Sequence, residues 1–194
     1  MRATRIDRWH RRASSRLLRL ALAAGLALFC EPAFAQAAPE PSIGKATGLP
    51  VPRYVSLKTD RVNLREGPSK DHRTLWVFQR AGLPVEITAE FETWRRIRDA
   101  EGTEGWVLHS LLSGRRTALV TSPTKGGGQP LPLYERADER ADVVARLQPG
   151  VIANVRQCTG AWCRIIVVNP KERDFTGFVR QDRLWGVYPN EKLE

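Results

Sequence analysis

The stretch from Val62 to Val107 constrains this chain more than any other. It opens Val62-Asn63-Leu64-Arg65-Glu66-Gly67-Pro68-Ser69, turns at Ala81-Gly82, carries Trp94-x-x-Ile97 and closes Gly105-Trp106-Val107. Short apolar runs are separated by turn residues throughout. Leu75 to Phe78 reads as one strand. Val85, Ile87 and Ala89 alternate into a second, and Arg95 to Arg98 returns after a tip at Phe91-Glu92-Thr93-Trp94. Gly supplies positive φ and Pro a fixed φ at such turns. Strands this short, at this spacing, predict a small barrel or sandwich. Beyond residue 35 no stretch holds a helical apolar period over three turns, although Leu108 to Leu112 has room for one helical or 3₁₀ turn.

The pattern occurs twice. The interval from Gly82 to Trp94 equals that from Gly150 to Trp162. Trp94-x-x-Ile97 maps onto Trp162-x-x-Ile165, and Gly105-Trp106-Val107 onto Gly177-Phe178-Val179, followed by Leu112 and Gly114 in one copy and Leu184 and Gly186 in the other. The opening motif has decayed in the second copy, where Leu131-Pro132-Leu133-Tyr134-Glu135-Arg136 stands. The glycines before Trp106 and Phe178 suit close backbone approach at sharp bends. The aromatics that follow are expected to plug a barrel end, and Ile97 and Ile165 to pack in the core.

Val-Asn-Leu-Arg-x-Gly-Pro, the Gly-x-x-Val hairpin, Trp-x-x-Ile and Gly-Trp-Val together resemble the bacterial SH3-like (SH3b) domain family. The resemblance implies two tandem small SH3-like β-barrels, an all-β fold, at 53–120 and 127–190. It also implies a binding module for cell-wall glycan or its stem peptides. An adaptor that binds an envelope protein is the second reading, and a structural protein that only presents a surface is the third. SH3b modules often accompany cell-wall hydrolases, whose catalytic domains need on the order of a hundred residues. The repeats and linkers here occupy nearly all of the chain after residue 35. No Gly-x-Ser-x-Gly elbow is present. The chain is therefore expected not to be an enzyme, and no cofactor is implied.

The first 35 residues read as a Sec-type signal peptide. An Arg-rich segment leads into the apolar run Leu17–Phe29, interrupted by Arg19, and Ala33-Phe34-Ala35 supplies small residues for cleavage after Ala35. The run is shorter than the roughly 20 residues a spanning helix needs. Phe29 before Cys30 argues against a lipoprotein signal, and Ala13-Ser14-Ser15 after Arg11-Arg12 against a twin-arginine one. The expected location is periplasmic or secreted, with no membrane span after cleavage. Residues 36–52, with Pro39, Pro41, Pro50 and Pro52, read as an extended linker, and 121–126, leading into Gly126-Gly127-Gly128, as a second.

Charge and cysteines narrow the function further. Half of the formal net charge of +10 sits in the signal segment, and elsewhere acids and bases interleave. That lacks the dense basic stripe of a nucleic-acid binder. His10, His72 and His109 show no metal-like spacing. Cys158 and Cys163 flank the tip Thr159-Gly160-Ala161-Trp162, where two strand residues face each other within disulfide reach. An exported protein meets an oxidising compartment, so a disulfide is expected. By the repeat alignment, Glu90 and Arg95 occupy the two cysteine positions in the first copy, either as a cross-strand ion pair or as two solvated charges.

The candidate ligand contacts are Trp76, Trp94, Arg95, Arg96 and Arg98. Trp76 lies out of step with Leu75 and Val77. The hairpin Glu92-Thr93-Trp94-Arg95-Arg96 joins an aromatic to guanidinium groups that can grip carboxylates in a bidentate fork. Trp and Arg are the residue types most often found as hot spots. The alternative is that these arginines are an ordinary solvated strand face.

Overall fold

The computed structural model describes residues 41–121, 128–171 and 173–194. The predicted signal peptide and most of the predicted 121–126 linker lie outside these residues. A short hairpin comes first, β1 (Ser42–Ile43) with β2 (Pro50–Val51). The first barrel contains β3 (Arg53–Leu57), β4 (Val62–Arg65), β5 (Thr74–Phe78), β6 (Pro84–Phe91), β7 (Trp94–Arg98), β8 (Glu104–Leu108), a 3₁₀ turn at His109–Leu111 and β9 (Leu112–Ser113). Its strand order is β5-β4-β8-β7-β6-β3-β9. The second contains β10 (Thr117–Val120), β11 (Leu131–Tyr134), β12 (Val143–Leu147), β13 (Ile152–Thr159), β14 (Trp162–Val167), β15 (Phe175–Arg180), a 3₁₀ turn at Gln181–Arg183 and β16 (Leu184–Trp185). Its order, β12-β11-β15-β14-β13-β10-β16, repeats the first strand for strand, and β17 (Lys192–Leu193) adds to β13.

Alternation along each strand sends every second side chain inward. Leu57, Val62, Leu64, Val85, Ile97 and Val107 fill the first core, and Val120, Leu133, Ile165 and Val179 the second. Ile97 and Ile165 thus occupy the core places expected of them. Trp106 and Phe178 do not plug a barrel end. Gly105 and Val107 take the inward positions of β8, so Trp106 is left half-buried on the outer face, and Phe178 lies likewise between Gly177 and Val179. The glycines do act by close approach. A Cβ on Gly105 would lie 2.6 Å from Leu64 Cγ and 2.8 Å from the Arg65 carbonyl oxygen, and one on Gly177 would lie 2.5 Å from the Tyr134 carbonyl oxygen.

The structure moves two segment boundaries. Thr117–Val120, read as the end of the first barrel, is the first strand of the second, paired with β13 and β16, with Ala118 and Val120 in the second core. Four residues of alternating apolar character cannot reveal from sequence which core they enter. Residues 42–51, read as extended linker, form the β1–β2 hairpin, which is held by Glu90. That carboxylate accepts hydrogen bonds from Thr47 Oγ1 (2.6 Å), Ala46 N (3.0 Å), Thr47 N (3.1 Å) and Arg53 Nη2 (2.8 Å).

The repeat alignment holds at the barrel ends. Cys158 faces Cys163 across β13 and β14, and the two form a disulfide. Their Cα atoms are 4.1 Å apart, near the spacing of a non-hydrogen-bonded antiparallel pair. Glu90 faces Arg95 in the same register. Arg95 Nε lies 3.6 Å from Glu90 Oε1, and both side chains are buried. The ion pair is therefore formed, with Arg53 as the closer partner of the same carboxylate.

The barrels meet through side chains from both. Tyr54 packs edge-on to Trp185, ring centroids 5.3 Å apart, and against Tyr188 at 4.6 Å. Tyr188 donates its hydroxyl to Glu86 Oε1 (2.9 Å), and Arg98 Nε donates to Glu86 Oε2 (3.0 Å). Thr117 Oγ1 donates to the Gly82 carbonyl (2.8 Å), and Arg80 to the Gly150 carbonyl (2.8 Å).

Candidate functional site

The opening motif builds the site. In β4, Val62 and Leu64 point into the core, so Asn63 and Arg65 point out. The loop after it is tightly closed. Arg65 Nη1 donates to the carbonyls of Lys70 (2.9 Å) and His72 (2.8 Å), and Glu66 N donates to the Arg73 carbonyl (3.0 Å). The His72 imidazole lies where a Cβ on Gly67 would be, 2.4 Å from its ideal position, so glycine lets the loop fold back on itself. Ser69 and Asp71 bond side chain to side chain at 2.9 Å and hold the tip.

This loop stands beside Trp94 at the start of β7. A groove of about 270 Å³ runs between Arg61, Asn63, Arg65, Lys70, Trp94, Leu108 and Leu111. A shallower depression continues past Trp94, lined by Pro68, Ser69, Lys70, Thr93, Leu108, His109 and Ser110. Lys70, Trp94 and Leu108 are common to both. The cations on one rim and the indole and leucines below suit a ligand with an anionic group on an apolar or sugar-like body. Across the outer face, strand register also aligns Arg65, Trp106 and Arg96 in one row.

Of the candidate contacts read from sequence, only Trp94 lines this groove. Arg96 is exposed on the adjoining outer face, where it pairs with Glu104 at 2.6 Å. Arg95 is buried rather than presented at the surface. It shares the inward phase of Ile97 and is 5% exposed, held by Glu90 and by the carbonyls of Glu92 and Trp94. Arg98 is also committed internally. Its guanidinium pairs with the buried Glu86, which keeps it protonated above the usual guanidinium range. Trp76 is exposed, as expected, but it pairs with the inward Leu64 and so lies on the opposite face from Asn63 and Arg65. Arg61, Asn63, Arg65, Lys70, Leu108 and Leu111 were not among the candidate contacts. The outward phase of Asn63 and Arg65 was readable from Val62 and Leu64; the approach of Lys70 and Leu108 was not.

The second barrel shows the same place differently furnished. Tyr134 holds the position of Arg65, and Arg180 that of Leu108 opposite the tryptophan. The Tyr134 ring meets Trp162 edge-on at 5.7 Å, and the Arg180 guanidinium sits 5.6 Å from the Trp162 centroid. These two side chains contact Trp162, which stays half-buried, whereas Trp94 is itself 7% exposed and meets the groove with one edge. Among the described residues no cluster of His, Cys, Asp and Glu has the arrangement of a metal site. No described helix is long and apolar enough to cross a membrane.

Strand order, repeated register and shared groove position define the class: two SH3-like barrels in tandem. A family model described as bacterial SH3 domain matches residues 58–114 and again 127–186, more than half of the chain, and the chain belongs to that family. Two solved structures are similar at low level, NlpC2 and NlpC1 from Trichomonas vaginalis. Each is 12% identical with a TM-score of 0.30, the matches covering 69% and 73% of this chain. The chain spans about half the length of each, 48%. No curated protein matches the chain.

Proposed function

We propose that this chain is an exported, non-catalytic binding module of the cell envelope that engages peptidoglycan or its stem peptides through the first barrel. The observation that carries the reading is the contrast at one structural position. The Trp94 groove is lined by Arg61, Arg65 and Lys70, while at the counterpart position Tyr134 and Arg180 pack on the tryptophan themselves. Stem peptides present carboxylates, to which the cations can donate while the indole edge packs on the peptide or sugar body. The signal-like segment supports delivery to the periplasm. The second barrel then supports the first through their shared interface and needs no ligand of its own.

The test is co-sedimentation of the purified protein with isolated peptidoglycan. Leu108→Arg reproduces the residue that packs on Trp162 and should reduce binding at least about tenfold, as loss of a central contact does. Lys70→Glu should do the same and make the remainder less salt-sensitive. Retention of wild-type binding by both folded variants would overturn the reading.

A further inference from the structure

A second surface lies on the other side of the first barrel, at the edge strand β5. Among the described residues only β4 pairs with it, so half of its backbone hydrogen-bonding groups face no described strand. Its sequence, Thr74-Leu75-Trp76-Val77-Phe78, holds no charge and no proline. Natural edge strands are usually blunted by one or the other. Leu75 is 42% and Trp76 58% exposed. The equivalent edge of the second barrel is blunted. By register Phe78 matches Leu147, so Arg146 stands at the place of Val77 and Ala145 at that of Trp76. Both edges end their sheets among the described residues, but the uncharged one is that of the first barrel.

Beside the edge is a cleft of about 270 Å³, with Trp76, Phe78, Leu83 and Pro84 on its apolar side. Leu119 of the second barrel also lines it. The opposite rim is acidic. Asp99 and Glu101 line it, and no lysine or arginine does. Asp99 Oδ1 accepts from Glu101 N (2.9 Å) and Thr103 N (2.8 Å), which fixes the rim loop. The cleft thus differs in sign from the basic Trp94 groove and cannot suit the same ligand.

We propose that β5 receives an extended segment of a partner protein by strand addition, with one apolar side chain in the cleft and a lysine or arginine two residues away against Asp99 and Glu101. The two-residue spacing follows from strand geometry, since side chains at i and i+2 share a face. Backbone pairing supplies affinity in this mode and the alternate side chains supply selectivity. The proposal is independent of the peptidoglycan reading, because it uses the opposite face and a ligand of opposite charge.

The probe is a capped peptide, Ser-Leu-Thr-Lys-Thr-Leu-Ser, compared with its Glu-for-Lys counterpart, in a nuclear magnetic resonance titration of the purified full chain. The lysine peptide should shift the amide signals of Leu75–Val77 and Ala100–Thr103 in a saturable way. The glutamate peptide should bind at least about tenfold more weakly, as like charges oppose it. Trp76→Ala and Glu101→Lys should each weaken the lysine peptide by a similar factor without changing the melting temperature, while Leu108→Arg should leave it unchanged. Absence of shifts at β5, equal binding of the two peptides, or wild-type binding by both cleft variants would overturn the proposal. So would a dimer in sedimentation that buries β5 against a second copy.

Discussion

Glu90 shows how one side chain can do the work of a covalent bond. Burial alone would raise its carboxyl, but hydrogen bonds from Thr47, Arg53 and Ala46, with the Arg53 charge, outweigh that and hold it at about 2 against an ordinary 4.5. A carboxylate with a lowered folded value stabilises the fold above its unfolded value and loses that contribution as pH falls through the folded one. The stability of the first barrel should therefore fall as pH drops from about 4.5 toward 2, and Glu90→Gln should flatten that acid limb in thermal melts. Removing the carboxylate also leaves the buried Arg95 and the half-buried Arg53 without it, at a cost of about 3–5 kcal/mol at neutral pH. Hydrogen exchange at residues 44–47 should accelerate in the same variant. The cross-strand partner Arg95 was legible, because the repeat alignment put it opposite Glu90. Arg53 and Thr47 were not, because the turn that wraps the carboxylate comes from a Pro-rich stretch with no strand-like period.

At the scale of elements, the β13–β14 hairpin and its counterpart β6–β7 have one geometry and two fastenings. The disulfide closes a very short loop, so reduction should lower the stability of the second barrel by about 2 kcal/mol. Urea unfolding with and without reductant, followed by amide signals of each barrel, should show the loss in residues 117–193 with the first core unchanged. Strand phase also explains where the arginines of β7 point. Once Ile97 points inward, Arg95 must point inward too, and Arg96 outward. That much was available from the Ile97 assignment. The commitment of Arg98 was not, since Glu86 reaches it from the neighbouring strand and Tyr188 reaches Glu86 from the other barrel. The strand Thr117–Val120 was misplaced because the glycine run after it resembles a domain boundary more than the short Gly114–Arg116 turn before it does.

For the whole molecule, the contact of the barrels rests on Tyr54, Trp185, Tyr188 and Glu86. Burial, followed by the nearby Glu86 charge, pushes both phenols well above their ordinary value of 10.0. A group with a raised folded value contributes fully below its unfolded value and progressively less as pH rises beyond it. Thermal stability should accordingly decline as pH rises past about 10, and Tyr188→Phe should shallow that decline. The same variant should cost about 1 kcal/mol at neutral pH through the lost hydrogen bond. The amino-acid sequence by itself determined two antiparallel barrels, their repeat and the Cys158–Cys163 bridge. Alternation, turn glycines and a short hairpin loop act between residues close along the chain, where spacing alone sets geometry. Only the tertiary structure decided that Arg61, Lys70, Trp94 and Leu108 share one groove, that Trp76 faces a different cleft, and that the barrels dock through Tyr188 and Glu86. Those pairings depend on strand order and packing, which bring together residues whose separation along the chain carries no record of their contact.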